Sequence, residues 1–228
     1  MSVSKAKQGS VAGVVGGYAP LDSNLRIPAR YALWTPDTPP TSPSAYDDEF
    51  DTLSGWTTLG TLDTLNVTDF PSNVRMKRAD SGTAVNGIFK TAPSMPFTVT
   101  CKLADAAFDA NYHWVGLLLT AASPGKLFTW GRVYSTTKWV SYGPWTNRTT
   151  RDAGYVDTAA LEYWRYFRIV VTSSSSVSCE VSHNGLVWIA VGSGVNTTMT
   201  VANVGLFISQ YTGGVALMEA VFDWIRFT

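Results

Sequence analysis

The chain has 228 residues, with 17 basic and 17 acidic side chains, a formal net charge of zero and 45% hydrophobic content. The even charge excludes a binder of the nucleic-acid backbone, which needs a clustered basic excess to release counterions, and the apolar content excludes disorder of the whole chain. No apolar run in it approaches the roughly 20 residues that a membrane-spanning helix needs.

Residues 1–45 are expected to form an extended arm. Gly13, Gly16 and Gly17 punctuate its first half, and Pro36, Pro39, Pro40 and Pro43 its second. Prolines at that density disfavour helix and interior strand and leave extended or polyproline-like chain. Its opening Val/Ala/Gly stretch is short and broken by glycine, a poor secretory signal. An arm of this composition has no core of its own, so it is expected to be held by neighbouring copies of the protein or by a larger particle.

From Tyr46 to Thr228 the text predicts one all-β domain. Residues 97–103 alternate, placing Phe97, Val99, Cys101 and Leu103 on one face. Residues 114–119 are a continuous apolar run, suited to a strand buried on both faces. Strands over 127–134 and 139–142 follow, after turn-like breaks at Pro124-Gly125 and Thr136-Thr137. Residues 166–171, 177–181 and 187–191 read as three strands, the last two joined by a tight hairpin at His183-Asn184-Gly185, where Asn-Gly supplies positive φ. Residues 204–208 and 221–227 complete the set. Only two stretches, 104–111 and 158–165, leave room for short helices, and neither shows two full turns of apolar period. Many short strands between turn signals mean an antiparallel sandwich or barrel. Cys101 and Cys179 fall in strands and are expected to be buried thiols, although sequence alone cannot pair them.

On 127–134, alternation puts Phe128, Trp130, Arg132 and Tyr134 on one face. Aromatics with an arginine make poor core, because Arg132 would need a buried partner. The face is therefore predicted to be a concave outer surface, where rings stack on sugars and Arg132 donates to hydroxyls or carboxylates. Trp139, Tyr142 and Trp145, in a Ser/Gly/Pro-containing region, would add a rim; Tyr112 and Trp114 crowd the same part of the chain. These residue types are equally those favoured in protein interfaces, so Trp130, Arg132, Tyr134, Trp139, Tyr142 and Trp145 form either a glycan platform or an oligomer contact. Glycoside hydrolysis needs two carboxylates flanking the bond. The chain has no E-x-D-x-E strand, and Glu162, Glu180 and Glu219 are isolated. His113 and His183 complete no triad or metal pair, and the familiar nucleophile, zinc and phosphate motifs are missing. A non-enzymatic protein without a cofactor is expected.

More specific phrases stand at the two ends of the domain. It opens with Tyr46-Asp47-Asp48-Glu49-Phe50-Asp51, then Leu53 and Gly55-Trp56. It closes with Tyr166-Phe167-Arg168-Ile169, His183-Asn184-Gly185-Leu186-Val187-Trp188, Val204-Gly205-Leu206-Phe207 and Phe222-Asp223-Trp224-Ile225-Arg226-Phe227. In this order they resemble the concanavalin A-like (lectin/glucanase, laminin G-like) jelly roll, and in particular the β-sandwich modules appended to bacterial β-xylosidases and arabinosidases. Asn184 stands where those modules carry Asp, and serves the same turn. Trp188, just past the hairpin, is expected to pack inward. The resemblance implies adjacent first and last strands, which would bring Asp48 and Asp51 near Asp223. Oxygen ligands gathered that way would hold a structural calcium ion, and solvated or Arg-paired carboxylates are the alternative.

The arm carries a phrase of its own. Gly16-Gly17-Tyr18-Ala19-Pro20-Leu21-Asp22-Ser23-Asn24-Leu25-Arg26-Ile27-Pro28 resembles the Y-A-x-L-D-S-N-G-K-I-P phrase near the start of bacteriophage tail-fibre and related virion proteins, with Leu25 and Arg26 where Gly and Lys are usual. It implies attachment through Tyr18, Leu21, Asp22, Ile27 and Tyr31. The chain is thus expected to be a virion structural protein of a tailed bacteriophage, in the fibre, tail or capsid decoration. Its arm would anchor to other virion proteins and to copies of itself. Its jelly roll would be displayed for decoration or recognition of a host surface glycan. The alternative is a carbohydrate-binding module associated with a polysaccharide-degrading enzyme.

Overall fold

The computed structural model describes residues 42–78, 83–108, 113–123, 125–134, 139–159, 164–210 and 218–228. The expectations on Tyr18, Leu21, Asp22, Ile27, Tyr31 and Tyr112 lie outside these residues. Among the described residues every regular element is a strand. In chain order these are β1 (Thr57–Leu59), β2 (Thr64–Asn66), β3 (Val74–Arg78), β4 (Ala84–Thr91) and β5 (Phe97–Phe108). Next come β6 (His113–Thr120), β7 (Leu127–Tyr134), β8 (Trp139–Asn147), β9 (Thr150–Arg151) and β10 (Val156–Ala159). Last are β11 (Tyr166–Val171), β12 (Ser176–Ser182), β13 (Ile189–Asn196), β14 (Asn203–Gln210) and β15 (Met218–Phe227).

They form two antiparallel sheets packed as a sandwich. The first runs β1-β4-β14-β6-β7-β8-β10, with β9 on β8, and the second β13-β12-β11-β5-β15-β3-β2. Period-two alternation fills the space between them. Phe97, Val99, Cys101 and Leu103 of β5 point inward as the pattern predicts, beside Phe167 and Ile169 of β11 and Phe222 and Ile225 of β15. The first sheet answers with Ile88, Val115, Leu117, Phe128, Trp130 and Leu206. Strand β6 is buried along its whole length, with Val115, Leu117 and Leu119 facing the sandwich and Trp114 and Leu118 in a second apolar cluster. The continuous apolar run is read correctly.

Residues 104–108 and 158–159, within the two stretches that left room for helix, are strand, and 109–111 and 160–163 lie outside the described residues. Residues 104–108 continue β5, because Asp105, Ala106 and Ala107 pair with Val221, Ala220 and Glu219 of β15; a neighbouring strand in register outweighs the helix preference of alanine. Residues 156–159 likewise pair with 139–142 of β8. The Asn-Gly turn is also wider than expected. Val181 pairs with Ile189, and the Asn184 carboxamide oxygen accepts the amides of Leu186 and Val187 at 2.9 and 3.0 Å, while Gly185 takes φ of 70°. In this wider loop Trp188 is half-buried and does not point inward; the Arg168 guanidinium lies 4.0 Å from its ring on the outer side of the second sheet.

The acidic phrase at the domain's start clasps its last strand. Asp48 and Ile225 exchange backbone hydrogen bonds of 2.9 and 3.0 Å. Asp47 Oδ1 accepts the Phe227 amide at 2.7 Å, and Glu49 takes a two-pronged contact from Arg226 at 2.7 and 2.9 Å. Asp48 accepts the Phe50 amide at 2.8 Å and the Trp56 indole at 2.7 Å, with the Lys90 ammonium 3.6 Å away. Burial pushes the Lys90 pKa down, and Asp48 opposes that shift. These contacts hold the fully buried Phe50 at φ of 56°, a costly conformation for a bulky side chain. Asp48→Ala removes the acceptor and leaves the indole and ammonium facing it unpaired; about 3 kcal/mol of unfolding free energy is expected to be lost by chemical denaturation.

Cys101 and Cys179 are free and fully buried, on strands separated by β11, whose Phe167 and Ile169 pair with them respectively. Burial raises both thiol pKa values well above the usual range. Both thiols are therefore expected to resist an aromatic disulfide reagent at mildly alkaline pH and to react together on unfolding.

Candidate functional site: a pocket at one end of the sandwich

The alternation of β7 is as read, but its sidedness is reversed. Phe128, Trp130, Arg132 and Tyr134 do share a face, and that face is the inner one. Phe128 and Trp130 are fully buried, Trp130 donating its indole N–H to the Glu180 carbonyl at 3.1 Å and packing edge-on against Phe167 and Tyr142. Trp130 and Tyr142 are core, not platform. Arg132 lies farther along β7, between Val115 of β6 and Val140 of β8, and Tyr134 is opposite the buried His113. Both are half-buried. The strand leaves the core at this point, and that is why a guanidinium can occupy a face that is otherwise apolar.

Trp145 is buried as well, on the outer face of the first sheet. It meets Trp114 edge-on at 5.8 Å, donates to the Thr129 hydroxyl at 2.9 Å and joins Leu118, Val133 and Phe207 in the second apolar cluster. The Arg151 guanidinium lies between the rings of Trp114 and Tyr155, 4.2 and 3.7 Å from their centroids. The β8–β9 turn reaches farther still: the Arg148 carbonyl accepts the Val85 amide of β4 at 2.8 Å. Strands β14, β6 and β7 lie between β8 and β4, so this turn spans the outer face from one side of the sheet to the other. The side chain of Arg148 then donates to Asn86. The chain's own residues occupy the surface on which the glycan platform was expected. Trp139 is in β8, paired with Val133.

The open space is at the end of the sandwich. A pocket of about 480 Å³ is lined by Leu103, Ala104, Asp105, Ala106, Ala107, Arg132, Tyr134 and Arg165. It joins β5 of one sheet to β7 of the other, and Arg165 comes from the segment leading into β11, whose carbonyl accepts the Leu103 amide at 2.8 Å. The β5–β15 register shifts here, Val221 pairing with Asp105 but Phe222 with Leu103, so Ala104 is an extra residue on the pocket wall; bulges of this kind re-aim side chains beside functional sites. Asp105 Oδ1 accepts the Ala106 amide at 2.8 Å, and the Ala106 carbonyl faces Arg132 Nη2 at 3.4 Å. Tyr134, Arg132, Arg165 and Asp105 thus line the pocket beside a wall of small side chains, residue types able to stack on a pyranose ring and to exchange hydrogen bonds with its hydroxyls. Of the expected residues, Arg132 and Tyr134 are brought together. Asp105 and Arg165 were missed, because both fall in stretches left open to short helix, outside the strands that alternation marks.

The calcium expectation is corrected too. Asp48 is committed to Trp56 and Lys90, Asp51 accepts the Ser72 hydroxyl at 2.8 Å, and Asp223 pairs with Lys102. The opening segment does adjoin the last strand, through the bridge of Asp48 with Ile225, although β1 lies in the other sheet, and each carboxylate has its own cationic or hydroxyl partner. Among the described residues no group of three or more His, Cys, Asp or Glu is placed to hold a metal ion.

No family model and no curated protein matches the chain. Among solved structures it is similar to the glycoside hydrolase family 43 protein BlXynB from Bacillus licheniformis, with a TM-score of 0.64 and 15% identity over 82% of this chain and 39% of that one. It is similar to the xylan β-1,4-xylosidase from Bacillus halodurans, with a TM-score of 0.60 and 15% identity over 83% of this chain and 40% of that one. A family 16 glycoside hydrolase from the mixed linkage glucan locus of Bacteroides ovatus matches with a TM-score of 0.57 and 8% identity, over 81% of this chain and 100% of that one. The chain spans about two-fifths of the length of the first two. These neighbours overturn the expectation of a non-enzymatic protein: they are hydrolases, and the family 16 chain is matched over its whole length. The lack of an E-x-D-x-E strand therefore does not exclude catalysis.

Trp130→Ala and Trp145→Ala are each expected to cost about 3–5 kcal/mol in chemical denaturation, as core truncations do. Loss of sugar binding without loss of stability would return either ring to the surface. The described domain is a two-sheet antiparallel sandwich of the concanavalin A-like jelly-roll fold.

Proposed function

We propose that the domain binds a carbohydrate chain in the pocket formed by Asp105, Arg132, Tyr134 and Arg165. The observation that carries this is the pocket itself, lined by Asp105, Arg132, Tyr134 and Arg165 between β5 of one sheet and β7 of the other, in a fold shared with hydrolases of xylan and mixed linkage glucan. The outer face of the first sheet is occupied by Trp114, Trp145, Arg151 and the β8–β9 turn, which directs the ligand to the end. Supporting a virion role is the arm's phrase from Gly16 to Pro28; in that reading the arm attaches the jelly roll to other virion proteins of a tailed bacteriophage and the pocket meets a host surface glycan. The second reading, a glycan-binding module working beside a polysaccharide-degrading enzyme, is favoured by the match to about two-fifths of the xylosidases.

The test is a panel of xylo-oligosaccharides, mixed linkage gluco-oligosaccharides and their acidic derivatives, titrated calorimetrically and assayed in parallel for newly released reducing ends. Tyr134→Ala and Asp105→Asn are expected to weaken binding at least about tenfold, roughly 1.4 kcal/mol, with little change in thermal stability. Unchanged affinity in both variants, or no sugar bound by the wild type, would contradict the proposal. Release of reducing ends that disappears in Asp105→Asn would assign the carboxylate a chemical step.

A further inference from the structure

An asparagine followed by glycine can rewrite itself. The glycine nitrogen attacks the side-chain carbonyl, ammonia leaves, and water opens the resulting ring to a carboxylate. The reaction needs a backbone free to bend and access to water. The sequence holds two such pairs, Asn86-Gly87 and Asn184-Gly185, and the fold treats them oppositely. Asn86 is fully buried in β4, where it pairs with Ile208 of β14, while Gly87 pairs with Phe207 of β14 and Leu59 of β1. A strand paired on both sides holds its backbone extended, so the Gly87 nitrogen cannot swing toward the carboxamide. The Asn86 side chain is tied to other segments, its Oδ1 accepting the Thr61 amide at 3.2 Å and the Arg148 guanidinium.

Asn184 is exposed in the loop between β12 and β13, beside Leu186 and Val187, which are 49% and 68% exposed. Its carboxamide folds back on its own chain, as asparagine does in turns. Oδ1 accepts the Leu186 and Val187 amides at 2.9 and 3.0 Å and the Ser182 hydroxyl at 3.2 Å. Three donors thus converge on the oxygen that gathers negative charge as the carbonyl carbon becomes tetrahedral, an arrangement that stabilises such an intermediate. The same Ser182 Oγ accepts the Gly185 amide at 2.9 Å. One hydroxyl therefore touches both the attacking nitrogen and the attacked group, and a hydroxyl both accepts and donates. Gly185, at φ of 70°, has no side chain to shield its nitrogen.

We propose that Asn184 is a site of spontaneous deamidation in the folded protein. The Gly185 nitrogen bonds to Asn184 Cγ, its proton passes by way of the Ser182 hydroxyl, and the carboxamide nitrogen leaves as ammonia. Water then hydrolyses the cyclic imide to aspartate or to its β-linked isomer. One water is consumed and one ammonia released, with no oxidant or cofactor, and a chain of zero formal charge becomes acidic. In the α-linked product the carboxylate keeps its two amide donors, now as charge-assisted bonds. The test is the full chain incubated folded at mildly alkaline pH, sampled over time and mapped by peptide mass spectrometry. Asn184 is expected to convert at least about tenfold faster than Asn86, which reacts only when β4 opens. In denaturant the two rates are expected to come within about threefold of each other, since the fold is what separates them. Ser182→Ala is expected to slow the reaction at Asn184 at least about threefold. A carboxamide that survives at Asn184 in the folded protein, or is lost as fast at Asn86, would overturn the inference. So would a difference between the two sites that persists in the unfolded chain. An unchanged or higher rate in Ser182→Ala would contradict the passage of the proton through its hydroxyl.

Discussion

A sheet that is apolar on both faces has to be covered twice, and the first sheet of this domain is such a sheet. Strand β6 sends Val115, Leu117 and Leu119 to one side and Trp114 and Leu118 to the other, all essentially out of water. The second sheet covers one side. On the other lie the sheet's own Trp145, Arg151 stacked between Trp114 and Tyr155, and a turn that reaches the far edge through the Arg148 carbonyl. Each large buried ring contributes on the order of 2–3 kcal/mol by leaving water, so exposing this face to a ligand would be costly. Glycines make the arrangement possible. Gly116 and Gly131 lie directly opposite each other, and a Cβ on Gly131 would stand 1.9 Å from the Val115 carbonyl oxygen.

With both faces committed, functional chemistry moves to the ends of the strands. The inner face of β7 passes from Phe128 and Trp130, which are core, to Arg132 and Tyr134, which line the pocket. The bulge at Ala104 opens β5 at the same level. At the domain's start, three consecutive acidic residues spend their charge on closure, Asp47 and Asp48 on backbone and indole donors and Glu49 on Arg226. Carboxylates elsewhere on the strands follow the same economy, Glu180 with Arg168 and Glu219 with Arg75. Asp105 differs, since it lines a pocket with two arginines.

Much of this was legible in the sequence, for reasons that particular residues make plain. Period-two alternation on β5 and the unbroken apolar run of β6 report burial directly, because side-chain direction along a strand is fixed by geometry. The phrases at the two ends of the domain pointed to the jelly roll because they encode contacts within it: Asp48 against Ile225, and the β11–β12 pairing of Arg168 with Glu180. What alternation cannot supply is sidedness. Phe128, Trp130, Arg132 and Tyr134 share a face whichever way it points, and a single arginine turned the inference outward when it marked the strand's exit from the core. Nor does local pattern reveal a bulge. Residues 104–107 carry no strand alternation and left room for helix, and only the pairing with β15 makes them strand. Asp105 and Arg165 were hidden by the same blindness to non-local pairing.

The central claim is that ligand enters at the end of the sandwich and not on the outer face of the first sheet. Backbone amide and indole chemical shifts, followed while a xylo-oligosaccharide is titrated into the full chain, test this most directly. Perturbations concentrated at Ala104, Asp105, Ala106, Ala107, Arg132, Tyr134 and Arg165, with the indoles of Trp114 and Trp145 unmoved, are the predicted result. Shifts centred on Gly116, Gly131 and those two indoles, with the end pocket silent, would contradict it.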